Sequence, residues 1–254
     1  MKPSPFWQTT AFAVSARSSR LFDPLSQAEW IALLLSLRVA AVGVLFTLPF
    51  GFAAAWLLAK TKFPGKFLFD GLMTMPLVLP PVATGYLLLV TFGLNAPVGR
   101  FLYETTGVRL VFDWKGAALV AGIMGFPLMV RTIRLSLETI DQGLIEAART
   151  LGATPRRALI SIVIPLALPG ILAGTLLAFA RALGEFGATI AFVGNIPGQT
   201  QTLPLALYSA LQSPGGEMLG YRLVLMSAAL AILSLALAEL LGHALRHRLM
   251  GRPV

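Results

Sequence analysis

Apolar residues run without interruption by charge over 39–59, 71–99, 116–130, 158–180, 186–216 and 223–238. A helix needs ~20 mostly apolar residues to cross ~30 Å of hydrocarbon, and several of these runs are long enough. Strands of a membrane barrel would alternate polar and apolar positions, and these runs do not. The pattern predicts an all-α polytopic membrane protein with spans near 36–59, 67–93, 115–135, 168–193 and 221–244. Each predicted span ends at a charged residue or at a Gly, Pro or Asn turn. The second holds Pro76, Pro80 and Pro81, and adjacent prolines withdraw backbone donors and break the helical ladder. Broken backbone at membrane depth persists only inside protein or beside a cavity, so Pro80 and Pro81 are candidates for the lining of a pathway. Pro49 and Pro127 predict milder kinks. Residues 5–14 are apolar but too short to span, and read as a poor signal-peptide core or an interfacial helix. The chain divides into an extension at 1–27, a transmembrane domain at 28–245 and a tail at 246–254.

Composition narrows the class. Apolar residues make up 56% of the chain and charged residues 12%, against about 25% charged in soluble domains. So little charge cannot coat a water-facing surface, and it excludes a disordered chain equally. There is no cysteine, and the two histidines are His243 and His247. They share a helix face beside arginines at a membrane border, which reads as a solvated interface, so no metal site and no catalytic constellation is expected. The chain reads as a non-enzyme. No GxxxxGK[ST] phosphate loop occurs, because Gly65-Lys66 lacks both the upstream glycine and the following hydroxyl residue. Energy for any transport must come from a separate subunit or from an ion gradient.

The basic residues give orientation. Lys60, Lys62, Lys66, Arg131, Arg134, Arg149, Arg156, Arg157, Arg246, Arg248 and Arg252 fall on one side of a five-span arrangement. Arg100, Arg109, Lys115 and Arg222 fall on the other, joined by Lys2, Arg17, Arg20 and Arg38 of the N-terminal part. The positive-inside rule makes the richer side cytoplasmic, with the C-terminus inside and the N-terminus outside. The net charge of +9 therefore sits at membrane borders. No basic stripe interleaved with aromatics is present, so no nucleic-acid partner is expected.

The 138–170 connection is more than a link between spans. Asp141 can cap a short helix over 142–151, since its carboxylate can accept the first free backbone N–H groups. Gly152 ends that helix. Thr154 can cap a second short helix with Pro155 at its first position. Pro165 and Pro169 are expected to end the second helix and to re-aim the chain into the fourth span. Glu146, Ala147 and Ala148 lie on the first helix, where two small side chains permit close docking and the glutamate offers a charge.

Glu146-Ala147-Ala148, Gly152 and the later Ile162-Val163-Ile164-Pro165 resemble the EAA loop of binding-protein-dependent ABC importer permeases, with Ile164 where leucine is usual. The resemblance implies the type I ABC importer permease fold. It also implies a coupling helix seated on a partner ATPase, with Glu146, Ala147, Ala148 and Gly152 passing ATP-driven closure to the spans.

Within the fourth span, Arg181 and Glu185 are four residues apart and share a helix face. Counted from Gly170 at 1.5 Å per residue, Arg181 lies ~16 Å into the span, where charge normally faces a bundle interior or a water-filled cavity. Two readings stay open: a structural ion pair, or a polar element beside the permeation path. The 194–204 connection is polar but uncharged. Asn195, Gln199, Thr200 and Thr202 there are candidate donors to an oxyanion or to a docking protein, or parts of a plain surface loop.

The segments GEFGATIAFVGNIPGQTQTLPLALY, PLVLPPVATGYLLL and GFPLMVRTIRLSLE with the TKFPGK turn are similar to the molybdate importer permeases, a branch of the same family, over roughly 28–245. The sulfate and thiosulfate permeases are similar through the GEFGA region and are the alternative; a gradient-driven transporter or small channel is the alternative from another class. The resemblance implies a homodimer in the bacterial plasma membrane with a pathway between the copies. It implies two ATPase subunits that hold ATP and magnesium, with no cofactor in this chain. A periplasmic or lipid-anchored binding protein would deliver molybdate, with tungstate a possible second cargo.

Overall fold

The computed structural model describes residues 24–250. The regular elements among them are helices. The first, α1 (Gln27–Lys60), starts well before the expected position near 36, because Ser26 and Glu29 form a reciprocal cap. The Ser26 hydroxyl accepts the Glu29 N–H at 3.3 Å and the Glu29 carboxylate accepts the Ser26 N–H at 2.7 Å. Pro49 sits inside α1 without interrupting it.

The second apolar run is not one span. It forms α2 (Lys66–Val78) and α3 (Pro81–Phe92), inclined to each other by 110°. The cause is local: a residue before proline is driven out of the helical region. Leu79 and Pro80 each precede a proline, and both are extended, with ψ of 141° and 132°. Pro76 lies within α2 and does not end it. A short helix α4 (Pro97–Thr106) leads to α5 (Trp114–Glu138), which Asp113 caps and which runs through Pro127 unbroken.

After the short α6 (Gln142–Thr150) comes a continuous rod, α7 (Pro155–Leu183). Pro165 and Pro169 do not end its first part, contrary to expectation. The turn over Leu159–Val163 is a π-turn in which the Ile164 N–H reaches back to the Leu159 carbonyl. That wider turn makes room just where the Pro165 ring would otherwise meet the preceding turn. The rod stops at Leu183, and α8 (Gly187–Val193) follows after a break, so the expected 168–193 span is also two helices. Two further helices complete the fold, α9 (Leu203–Gln212) and α10 (Glu217–Met250). α10 runs on past the expected boundary at 245. Among the described residues, four helices are long and apolar enough to cross a membrane, and five if the bent α2–α3 pair counts as one span.

The centre is a three-helix body of α1, α5 and α7 with Val44, Leu58, Met124, Met129, Ile133 and Leu137 at its core. It is built by backbone approach. A side chain at Gly122 would begin 2.7 Å from the Gly43 carbonyl oxygen, and one at Gly125 would begin 2.9 Å from that of Ala178. Apolar helices gain little from leaving equally apolar lipid, so small residues that allow close packing hold the bundle together. α10 is fixed at its start by an ion pair: Arg222 Nε lies 2.9 Å from Glu29 Oε1, with both side chains largely buried. The Arg222 guanidinium also donates to the Pro24 carbonyl at 3.0 Å.

Candidate functional site

The 138–170 connection is assembled as its residues dictate. The Asp141 carboxylate accepts the Gly143 N–H at 2.8 Å, and the Thr154 hydroxyl accepts the Arg157 N–H at 3.3 Å. Gly152, at φ 87°, closes α6. Its N–H donates to the Arg149 carbonyl and the Ala153 N–H donates to the Ala148 carbonyl, each at 3.0 Å. This paired bonding is the glycine-terminated helix end in which a left-handed residue satisfies otherwise orphaned carbonyls. Glu146, Ala147 and Gly152 are exposed and Ala148 is half-buried. Leu144 and Leu151 are exposed beside them. The loop therefore presents a capped helix with two small residues, a carboxylate and an apolar flank.

The two broken spans meet. A side chain at Gly187, the first residue of α8, would start 2.9 Å from Pro81 Cβ, at the first residue of α3. One at Gly85 would start 2.5 Å from the Ala188 carbonyl oxygen and 2.8 Å from Ala191 Cβ. The pathway candidates Pro80, Pro81, Arg181 and Glu185 thus flank one junction. Arg181 Nη1 lies 2.9 Å from Glu185 Oε2. The other oxygen of Glu185 accepts the Ala188 N–H at 3.0 Å, so one carboxylate neutralises the end of α7 and caps the start of α8. The Glu185 side chain is 3% exposed and that of Arg181 30%. Arg181 is one turn beyond Ala178, which faces Gly125. It therefore lies ~12 Å from the Trp114 end of α5, inside the hydrocarbon thickness. The Thr84 hydroxyl is buried close by on α3 without a hydrogen-bond partner.

At the Glu138 end of α5, Arg134 bridges Asp70 of α2 and Glu138, at 2.8 Å each. Lys60 Nζ donates to the Ile140 carbonyl at 3.1 Å, fastening the end of α1 to the residue before the α6 cap.

Two of the four candidate donors of the 194–204 connection, Asn195 and Thr200, are engaged within the loop and its neighbouring helix, whereas the buried Thr202 hydroxyl has no hydrogen-bond partner among the described residues. Asn195 Nδ2 donates to the Ser209 hydroxyl at 2.8 Å and its Oδ1 accepts from Gln201 at 3.0 Å. The Thr200 hydroxyl, fully buried, accepts the Ile196 N–H at 2.9 Å. Thr202 is buried and only Gln199 is exposed. Asn195 and Thr200 thus brace the loop and are not open donors.

The i,i+4 spacing of Arg181 and Glu185 makes that pair visible in the sequence. Glu29–Arg222 is a second one, and only the pairing of a first helix with a last could have revealed it. Arg134 was read as an orientation charge, although the Arg134–Glu138 spacing already allowed an i,i+4 pair. Lys2, Arg17, Arg20 and residues 5–14 lie outside the described residues, as does the end of the 246–254 tail.

The sequence pattern of the family described as binding-protein-dependent transport system inner membrane component matches residues 47–247. The chain is 54% identical over 224 residues to the molybdenum transport system permease protein ModB of Escherichia coli (strain K12), covering 88% of this chain and 98% of that one. It is 36% identical over 190 residues to the sulfate transport system permease protein CysT of the same strain, covering 75% of this chain and 67% of that one. Among solved structures, a bacterial ABC transporter involved in the import of the acidic polysaccharide alginate superposes with a TM-score of 0.70 at 15% identity, over 90% of this chain and 83% of that one. At that identity the likeness speaks for the fold.

Proposed function

The chain belongs to the binding-protein-dependent transport system inner membrane components, and from that membership we propose that it is the membrane-spanning permease subunit of an ATP-driven importer of molybdate. The observation that carries the cargo is the 54% identity to a molybdenum permease across almost the whole of both chains, against 36% and shorter coverage for a sulfate permease. The exposed, doubly capped α6 supports docking of a separate ATPase subunit. Glu146, Ala147 and Gly152 present the contact surface, and ATP with magnesium belongs to the partner. The continuous α7 rod leads from that surface to the Arg181–Glu185 junction, so closure of the ATPases would be felt there. Arg181, Glu185, Pro80 and Pro81 border the pathway, which two copies of this chain enclose. The Glu138 end of α5 faces the cytoplasm and the 194–204 loop faces a molybdate-binding protein outside, with the N-terminus on that outer side and the C-terminus within. The subunit itself performs no catalysis.

The test is reconstitution with the cognate ATPase in vesicles. Molybdate-loaded binding protein is expected to stimulate ATP hydrolysis and uptake, and sulfate-loaded protein is expected to do neither. The reverse result moves the cargo to sulfate, and uptake that persists without ATP hydrolysis removes the importer class. A second arm tests docking. Glu146→Arg with Gly152→Trp is expected to abolish ATPase recruitment, measured by co-purification; intact assembly and uptake would sink the coupling role.

A further inference from the structure

Between α2 and α5 lies a cavity of about 650 Å³ near the Glu138 end, lined by Asp70, Thr74, Pro127, Arg131, Arg134 and Glu138 among others. Its charges are not equivalent. Arg134 is held by both carboxylates, Asp70 and Glu138, at 2.8 Å. Arg131, one turn deeper, is exposed and makes no hydrogen bond or ion pair among the described residues. It stands seven residues before the last residue of α5, ~10 Å from that helix end at 1.5 Å per residue. A guanidinium at such depth is costly unless it faces protein or water. Arg131 has no carboxylate on it and opens into the cavity.

We propose that Arg131 is an exit station for the cargo, a site in the vestibule between α2 and α5 that takes a tetrahedral oxyanion by charge-assisted hydrogen bonds before release. This deepens the importer reading and rests on it. The chemistry fits a transit contact. A planar guanidinium with free donors matches two oxygens of an oxyanion. A single cation in a wet vestibule holds the ion weakly enough to let it go, which conduction requires. Arg134 suits an anion less, since its charge is already balanced by Asp70 on Nη1 and Glu138 on Nε. The Thr74 hydroxyl is likewise occupied, donating to the Asp70 carbonyl at 2.9 Å.

The experiment uses the full complex with its ATPase in vesicles and exploits the absence of cysteine from this chain. Arg131→Gln is expected to slow molybdate delivery about tenfold, the loss of one charge-assisted contact. Assembly and stimulated ATP hydrolysis should stay near wild type, and Arg131→Lys should restore most of the transport. In Arg131→Cys, a thiol reagent that adds an aminoethyl cation is expected to rescue transport, and one that adds a sulfonatoethyl anion is expected not to. Arg131→Gln treated with the same reagents is the control. Wild-type rates in Arg131→Gln, equal rescue by both adducts, or a cysteine that neither water-soluble reagent reaches would each overturn the station. The adducts are compared with whichever oxyanion the wild-type complex carries. A sulfate result thus overturns the cargo, while the adducts still decide the station.

Discussion

Glu185 uses its two carboxylate oxygens on two helices, one on the Arg181 guanidinium and one on the Ala188 N–H. That division makes the pair asymmetric. Removing the arginine strands a charge on a side chain that is almost fully buried, whereas Arg181 is partly exposed and has some access to water. Breaking a buried pair from one side costs about 3–5 kcal/mol, much of it the penalty of the uncompensated charge. Arg181→Leu is therefore expected to lower the thermal stability of the purified complex strongly and to stop uptake. Arg181→Leu with Glu185→Gln should be distinctly more stable than the single variant, because glutamine is neutral and its carbonyl still accepts the Ala188 N–H. A double variant no more stable than the single one would remove the argument. The Arg181–Glu185 pair was legible in the sequence, since i,i+4 spacing on one helix is local information. Glu29–Arg222 was not, because its partners meet only after the first and last helices have packed.

Helix breaks were half legible. Pro80 and Pro81 announced a discontinuity, and the bias of each preceding residue toward extended backbone explains why it is sharp. Nothing in the sequence told that this break would seat against the one at Gly184–Phe186. The proline rule misfired at Pro165, where a π-turn absorbed the ring and kept α7 whole. The caps of α6 at Asp141 and Gly152 and of α7 at Thr154, by contrast, were legible, because each needs only its immediate neighbours. The seat itself depends on the missing side chain of Gly85. A methyl there would meet the Ala188 backbone at 2.5 Å, which rotamer changes cannot relieve. Gly85→Ala is expected to destabilise the protein by about 1–3 kcal/mol as an overpacking change, and to reduce uptake. Gly71→Ala is the matched control within α2. A methyl there meets nothing within 4 Å, and alanine favours a helix over glycine by ~1 kcal/mol. It should be neutral or slightly stabilising in thermal unfolding.

At the scale of the molecule, the described helices separate into a body and an appendage. α1, α5 and α7 touch backbone to backbone through glycines and pack closely. α2 has no buried residue, is bounded by Gly65 at φ 78° and by the extended Leu79, and is tied to α5 by the Asp70–Arg134 bridge. Both partners of that bridge are partly exposed, so it holds α2 by about 1 kcal/mol or less. If transport requires α2 to swing while the body stays fixed, locking the two should stop it. The absence of native cysteine allows this to be done one contact at a time. Cysteines at 70 and 134, joined by a short bifunctional thiol reagent that a reductant can cleave, are expected to halt molybdate uptake. Reduction should return it to the rate of the same variant before linking. Cysteines at 51 and 129 make the opposite case. There a side chain at Gly51 would begin 2.7 Å from the Met129 sulfur, within the three-helix body. Linking them should leave uptake at the unlinked rate. Equal inhibition by both links would mean that the body itself flexes during transport, and no effect of the first link would mean that α2 rides with it as a fixed part.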